Sequence, residues 1–149
     1  MTAAGRRALA LLLEPRVADS QPLARLEVGV TGLSRGCGAT TVARALALEL
    51  PGADLTDGIA PGPQGVLVAV ADRTGVPVLA GLVTERLAQR HAHVVLVANR
   101  PDDPGEWARA GALCLPQSRL AVMLIARGHR PWGAFGTALR KVADAVQAV

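Results

Sequence analysis

Lysine and aromatic residues are nearly missing from this chain. Of 149 residues, one is lysine (Lys141) and three are aromatic (Trp107, Trp132 and Phe135). Without aromatic volume, the core falls to small and branched aliphatic side chains, and alanine alone fills 28 positions. Such a composition suits thin, closely packed layers of helix and strand. Charge is also sparse: 19% of residues are charged and 50% are hydrophobic, which excludes a disordered chain. The length fits one domain of ordinary size.

The charge that exists is mostly arginine. Net charge is +4 and the sequence pI is about 10.4, a mild bias toward anionic partners. The arginines run from Arg6 to Arg140 without clustering, and no aromatic residues interleave with them. A single-stranded nucleic-acid platform needs both features, so direct nucleic-acid binding is disfavoured. Two cysteines, Cys37 and Cys114, make no disulfide framework, and no Cys/His cluster has zinc spacing. The longest apolar runs, such as Leu120 to Ala126, fall far short of the ~20 residues that span a bilayer. Arg6 and Arg7 precede Ala8 to Leu13 in the manner of a signal peptide, but that run is short and stops at Glu14-Pro15. The expectation is a cytoplasmic protein with free thiols and no transmembrane segment.

Proline and glycine divide the chain into short units. Residues 1–25 read as an N-terminal extension: Ala3 to Glu14 suits a short helix or an edge strand, and Pro15 to Pro22 a loop. Leu26 to Thr31 reads as a strand, Thr41 to Leu50 as a helix stopped by Pro51-Gly52, and residues 51–65 as a loop or one very short strand. Val66 to Ala71 is an unbroken apolar run, as expected of a strand buried on both faces. Val78 to Arg90 is helical and Val94 to Ala98 is a second buried strand. Glu106 to Ala110, Ala112 to Leu115, Ser118 to Arg127 and Ala134 to Val149 follow as helix, strand, helix and helix. The last helix puts Phe135, Leu139, Val142, Val146 and Val149 on one stripe, which suits docking onto the sheet. The alternation predicts a three-layer α/β domain over residues 26–149 with a mainly parallel sheet. Ligands of such sheets sit beyond the carboxyl ends of the strands. Those ends are residues 32–41, 72–77, 99–104 and 116–118.

The strongest candidate for chemistry is VTGLSRGCGATTVARAL, residues 30–46. It reads as a strand, a glycine-rich turn and two threonines opening a helix. Gly36 and Gly38 let the backbone approach an anion closely. The N–H groups of Ala39, Thr40 and Thr41 point at it, helped by the helix dipole. A threonine hydroxyl there can ligate magnesium. The segment is a P-loop in outline. The expected lysine is absent, however: the triplet is Gly38-Ala39-Thr40. Arg35 is the nearest cation, and its planar fork can bind phosphate. The competing reading is a tight strand-to-helix connection with Thr40 as N-cap.

On these residues the chain resembles the MinD/ParA group of deviant-Walker P-loop ATPases. That loop, Lys-Gly-Gly-x-Gly-Lys-Thr, falls on Ser34-Arg35-Gly36-Cys37-Gly38-Ala39-Thr40. Glycine at 36, glycine at 38 and threonine at 40 match, while both lysines are lost. Residues 66–102 are similar to the group's strand, loop, helix and strand ending in Asn-Arg, and residues 111–146 to its last strand, proline turn and closing helices. The resemblance implies binding of ATP or ADP with Mg2+ by Arg35, Gly36, Cys37, Gly38, Ala39, Thr40, Thr41, Asn99 and Arg100. Asn99 would meet the base. It also implies weak or no hydrolysis, and positioning or assembly of a larger apparatus through a homodimer or an unidentified protein partner.

The middle of the chain is shortened relative to that group, which places an aspartate pair and a Walker B aspartate there. Only Asp54 and Asp57 remain, with Asp72 at the end of the next strand. Asp57 and Asp72 join Thr40 as candidate metal ligands. Against this, all three aspartates suit turns or caps. A different class of function is a pseudo-ATPase interaction module that binds no nucleotide. A third is a small P-loop enzyme acting on another phosphorylated ligand. Cys37, at a helix N-terminus, is a candidate low-pKa thiol. His91 and His93 read as solvated, and no acid-base triad is apparent around His129. Trp107 and Trp132 sit beside glycine and proline in surface-like segments, marking a partner interface or ordinary packing.

Overall fold

The computed structural model describes residues 25–58, 62, 64–91 and 93–148. Apart from Arg25, the expected N-terminal extension lies outside them, as does Val149. The elements are β1 (Glu27–Gly32), α1 (Ala39–Glu49), β2 (Asp54–Asp57), β3 (Val66–Asp72), α2 (Pro77–Leu87), β4 (His93–Asn99), α3 (Pro104–Arg109), β5 (Leu113–Leu115), α4 (Arg119–Ala126) and α5 (Gly133–Gln147). Five parallel strands form one sheet in the order β2-β1-β3-β4-β5. This is the expected α/β fold, with helices on both faces.

Local chemistry sets the boundaries. Pro77 and Pro104 each occupy the first turn of a helix, where no N–H is needed. Asp103 and Ser118 accept hydrogen bonds from the N–H groups of Glu106 (3.1 Å) and Ala121 (3.0 Å), capping α3 and α4. Arg130 reaches back from the α4–α5 loop to Glu49 with both Nε and Nη2, at 3.1 and 3.0 Å. The segment expected to be a loop or very short strand contains β2, which pairs with β1 from Glu27↔Asp54 to Val30↔Asp57.

The two faces of the sheet are built differently. One carries Val28, Val30, Val66, Val68, Val70, Val95, Val97 and Leu115 against α1, α4 and α5. The predicted stripe of α5 is buried there at Phe135, Leu139, Val142 and Val146. The other face carries Ala69, Ala71 and Ala98 with Leu67 and Leu96, and packs under α2 and α3. Small side chains bring these helices close. A Cβ at Gly81 would lie 3.2 Å from the Ala110 carbonyl oxygen. Trp107 fills the remaining space, with its ring edge against Gly75. Its segment reads as surface in the sequence, yet the side chain is 2% exposed, whereas Trp132 is 62% exposed. The alanine layer creates the depth that only an indole fills.

Leu139 is fully buried where α5 meets the valine face. Leu139→Ala is expected to lower unfolding free energy by about 2–5 kcal/mol, read by denaturant titration.

Candidate functional site

The chain leaves β1, crosses by α1 to β2 on one side, then returns past β1 to β3 on the other. The sheet order therefore reverses between β1 and β3. Crevices form at such points, because successive connections leave toward opposite faces. The glycine-rich loop, residues 33–38, sits at this reversal.

Its backbone demands glycine twice. Gly36 has φ 76° and Gly38 φ 93°, both left-handed. Gly38, not Thr40, is the N-cap of α1, and no side chain accepts from the first turn. Val42 N–H donates to Gly38 O at 3.0 Å, which starts the helical ladder. Among the described residues, no group accepts from the N–H groups of Ala39, Thr40 or Thr41, so these donors and the positive end of the helix dipole face outward.

Two contacts fix the loop. The Asn99 side chain, at the end of β4, is 7% exposed, and its Nδ2 donates to Cys37 O at 2.9 Å. A Cβ added to Gly38 would collide with that amide nitrogen. Thr40 Oγ1, on the exposed first turn of α1, donates to Asp57 Oδ2 at 2.8 Å. Asp57 ends β2, beside β1, so two neighbouring connections present a hydroxyl and a carboxylate at one point beside the free N–H groups. Hard oxygen donors of this kind suit Mg2+, which keeps several waters and takes its other ligands from phosphate. Among the described residues, no three His, Cys, Asp or Glu side chains gather around a possible ion. A metal here would therefore depend on a phosphate ligand.

Other expected site residues are placed differently. Asp72 Oδ1 accepts from Thr74 N (3.0 Å) and from the Thr74 hydroxyl, closing the β3–α2 turn. It is 6% exposed and makes no described hydrogen bond to Thr40 or Asp57. Cys37 is 2% exposed and belongs to the core, with its sulfur packed against Gly32, so burial replaces the exposed thiol that reactivity requires. Arg100 takes a left-handed φ of 57°, and its N–H donates to Leu115 O at 2.8 Å. Arg35 is exposed on the loop. Lys141 lines a groove of about 660 Å³ with Cys114 and Ala134, along the β5 edge. His93 is half-buried, with Nε2 3.1 Å from Ala145 O.

Sequence reasoning missed the Asn99 clamp, because a contact spanning 62 positions leaves no local pattern. It also left Asp57 a candidate metal ligand with a turn residue as the favoured alternative. The signal available was Leu55 two residues earlier: an apolar residue facing the core makes 54–57 a strand, and a strand carries its last carboxylate to the carboxyl end of the sheet.

The clamp predicts non-additive mutations. Asn99→Ala leaves the Cys37 carbonyl without its donor and is expected to cost about 1–3 kcal/mol in chemical denaturation. Gly38→Ala is destabilising through its φ and its collision with Asn99. In the Asn99→Ala background the collision is gone, so the double variant should be less destabilised than the sum by about 1 kcal/mol. No family model matches the chain, and no curated protein matches it.

Proposed function

We propose that the chain is a nucleotide-binding protein of the MinD/ParA type that holds ATP or ADP with Mg2+ and hydrolyses it slowly or not at all. The observation that carries this reading is the Thr40–Asp57 hydrogen bond, set beside the unpaired N–H groups of a glycine loop at the sheet's reversal point. A plain strand-to-helix turn requires the two glycines. It does not require a carboxylate on the neighbouring strand aimed at the helix's second residue.

In this reading the N–H groups from Gly36 to Thr41 hold phosphate oxygens, and Arg35 supplies the side-chain cation. Thr40 and Asp57 hold the metal. Asn99 acts first on the loop, by fixing the Cys37 carbonyl, and only its remaining surface and Arg100 are left to meet a base. Asp72 is spent on its own turn and is dropped from the metal set. In this reading the protein, whose Cys37 and Cys114 are free thiols, works in a reducing cytoplasm and positions or assembles a larger apparatus through a partner. A second reading is favoured by one observation, the absence of any lysine in the loop: an interaction module that keeps the fold and binds no nucleotide.

Calorimetric titration with ATP and ADP, with and without Mg2+, separates the two. Micromolar binding, about −8 kcal/mol, is expected. Arg35→Ala should weaken it about tenfold or more, the effect of losing a charge-assisted contact. Asp57→Asn should remove the gain given by Mg2+ while leaving metal-free binding near its original value. Absence of heat at millimolar nucleotide would sink the first reading and leave the second.

A further inference from the structure

Helix α4 buries Ala121 and Ile125 in the core it shares with α1. Its outer side carries Leu120, Val122 and Met123, with exposures of 45, 47 and 43%. Arg119, Met123 and Arg127 follow at four-residue intervals and so share one line along that side. Both arginines are exposed, and among the described residues neither makes an ion pair. The chain then folds back at Gly128 (φ 80°), with His129 N–H donating to Leu124 O at 2.8 Å. Trp132 follows three residues later, within about 10 Å of that turn, and is 62% exposed.

We propose that this face docks an acidic amphipathic helix of a partner protein. Three observations select that occupant. The first is charge. No Asp or Glu occurs between Trp107 and Ala143, while the same stretch holds five arginines and Lys141. Glu49, which meets the neighbouring loop, is already held by Arg130. Arg119 also sits in the first turn of α4, where the helix dipole disfavours a cation and no acidic neighbour in that turn offsets it. It gives the helix nothing that an uncharged residue would not give, and a carboxylate from elsewhere is the partner it suits.

The second observation is spacing. Eight residues of helix set the two arginines about 12 Å apart. Carboxylates seven or eight positions apart on a second helix match that span, and an aliphatic residue midway between them meets Met123. The third is composition. Protein interfaces are rich in Trp, Met and Arg and poor in Lys, Glu and Asp. Trp132, Met123, Arg119 and Arg127 follow that pattern. A helix lying in a membrane surface keeps its cations on the side opposite its apolar stripe. Here the arginines stand on the stripe itself, in line with Met123. The chain's own residues 1–24 do not supply the acid, since they carry three arginines against Glu14 and Asp19.

Two synthetic helical peptides of about 18 residues test this. They differ only at two positions, seven apart, that border a leucine face: Glu in one, Lys in the other. Trp107 is buried, so a shift of tryptophan emission on binding reports Trp132. The Glu peptide is expected to bind with a Kd of about 10–100 µM and to move that emission to shorter wavelength. The Lys peptide should bind at least about tenfold more weakly, as two ion pairs become two repulsions. Arg119→Glu with Arg127→Glu should reverse the preference, with unchanged circular dichroism because both side chains are exposed. Equal binding of the two peptides, no binding at about 1 mM, or a preference that the exchange does not reverse would each overturn the assignment. So would a Trp132 shift given by phosphatidylglycerol vesicles or duplex DNA and by neither peptide. The docking face goes beyond the nucleotide reading and does not rest on it: every titration is made without nucleotide.

Discussion

The hydrogen bond from Asn99 to the Cys37 carbonyl joins the end of β4 to the loop that follows β1. It lies across β3, which separates those two strands in the sheet. A glycine loop with left-handed φ at residues 36 and 38 is conformationally permissive, and permissiveness costs entropy when such a loop must hold one shape. The buried amide removes much of that freedom. It occupies the space over Gly38 and draws the Cys37 carbonyl inward. The Cys37 side chain, packed in the valine core, anchors the same residue from below. With its carbonyl and its sulfur both committed, the peptide groups that follow present their N–H groups outward at the start of α1. Those donors are held in place by the fold itself.

The sheet's two faces divide the labour. The valine face buries three helices and the stripe of α5, and it carries most of the apolar burial that stabilises the domain. The alanine face holds α2 and α3 close and depends on one large side chain, Trp107, for its filling. Thin packing has a consequence for α2. A helix that lies close against small residues sinks few of its side chains, so most of its apolar positions stay on the outside. The exposed valines and leucines of α2 and the alanines of the sheet are thus two sides of one packing choice.

The strands and helices were legible because their signals are local. Unbroken apolar runs mark β3 and β4, proline and glycine mark the element boundaries, and a 3.6-residue stripe marks α5. The loop was legible as a glycine-rich turn opening a helix because glycine at 36 and 38 and threonine at 40 sit within five residues. The rest depends on contacts between distant positions. Trp107 looks exposed because its neighbours are Glu106, Gly105 and Pro104, and only the alanine layer beneath it shows where the indole goes. Asp57 and Asp72 are equivalent as isolated carboxylates near strand ends. What separates them is that Thr74 follows Asp72 and satisfies it locally, while Asp57 is followed by Gly58 and turns to Thr40. A Thr two positions after an Asp is a readable turn signal, and it would have assigned Asp72 from sequence alone.

The missing lysine bears on what such a loop can do even if it binds phosphate well. In a loop of this kind the backbone N–H groups and the helix dipole cradle the inner phosphates, away from the group that is transferred. A flexible lysine reaching over the outer phosphates is different, because it follows charge as that charge develops. Only interactions that strengthen on the way to the transition state accelerate the chemical step. Arg35 is charged, but it sits four residues before Ala39, on the loop rather than on the first residue of the helix. A cation placed there adds to affinity and to anion selection without closing over the reacting centre. On the nucleotide-binding reading proposed above, the chain keeps groups that would hold a phosphate and lacks the one that would spend binding energy on turnover, a pattern that fits reading a nucleotide rather than consuming it.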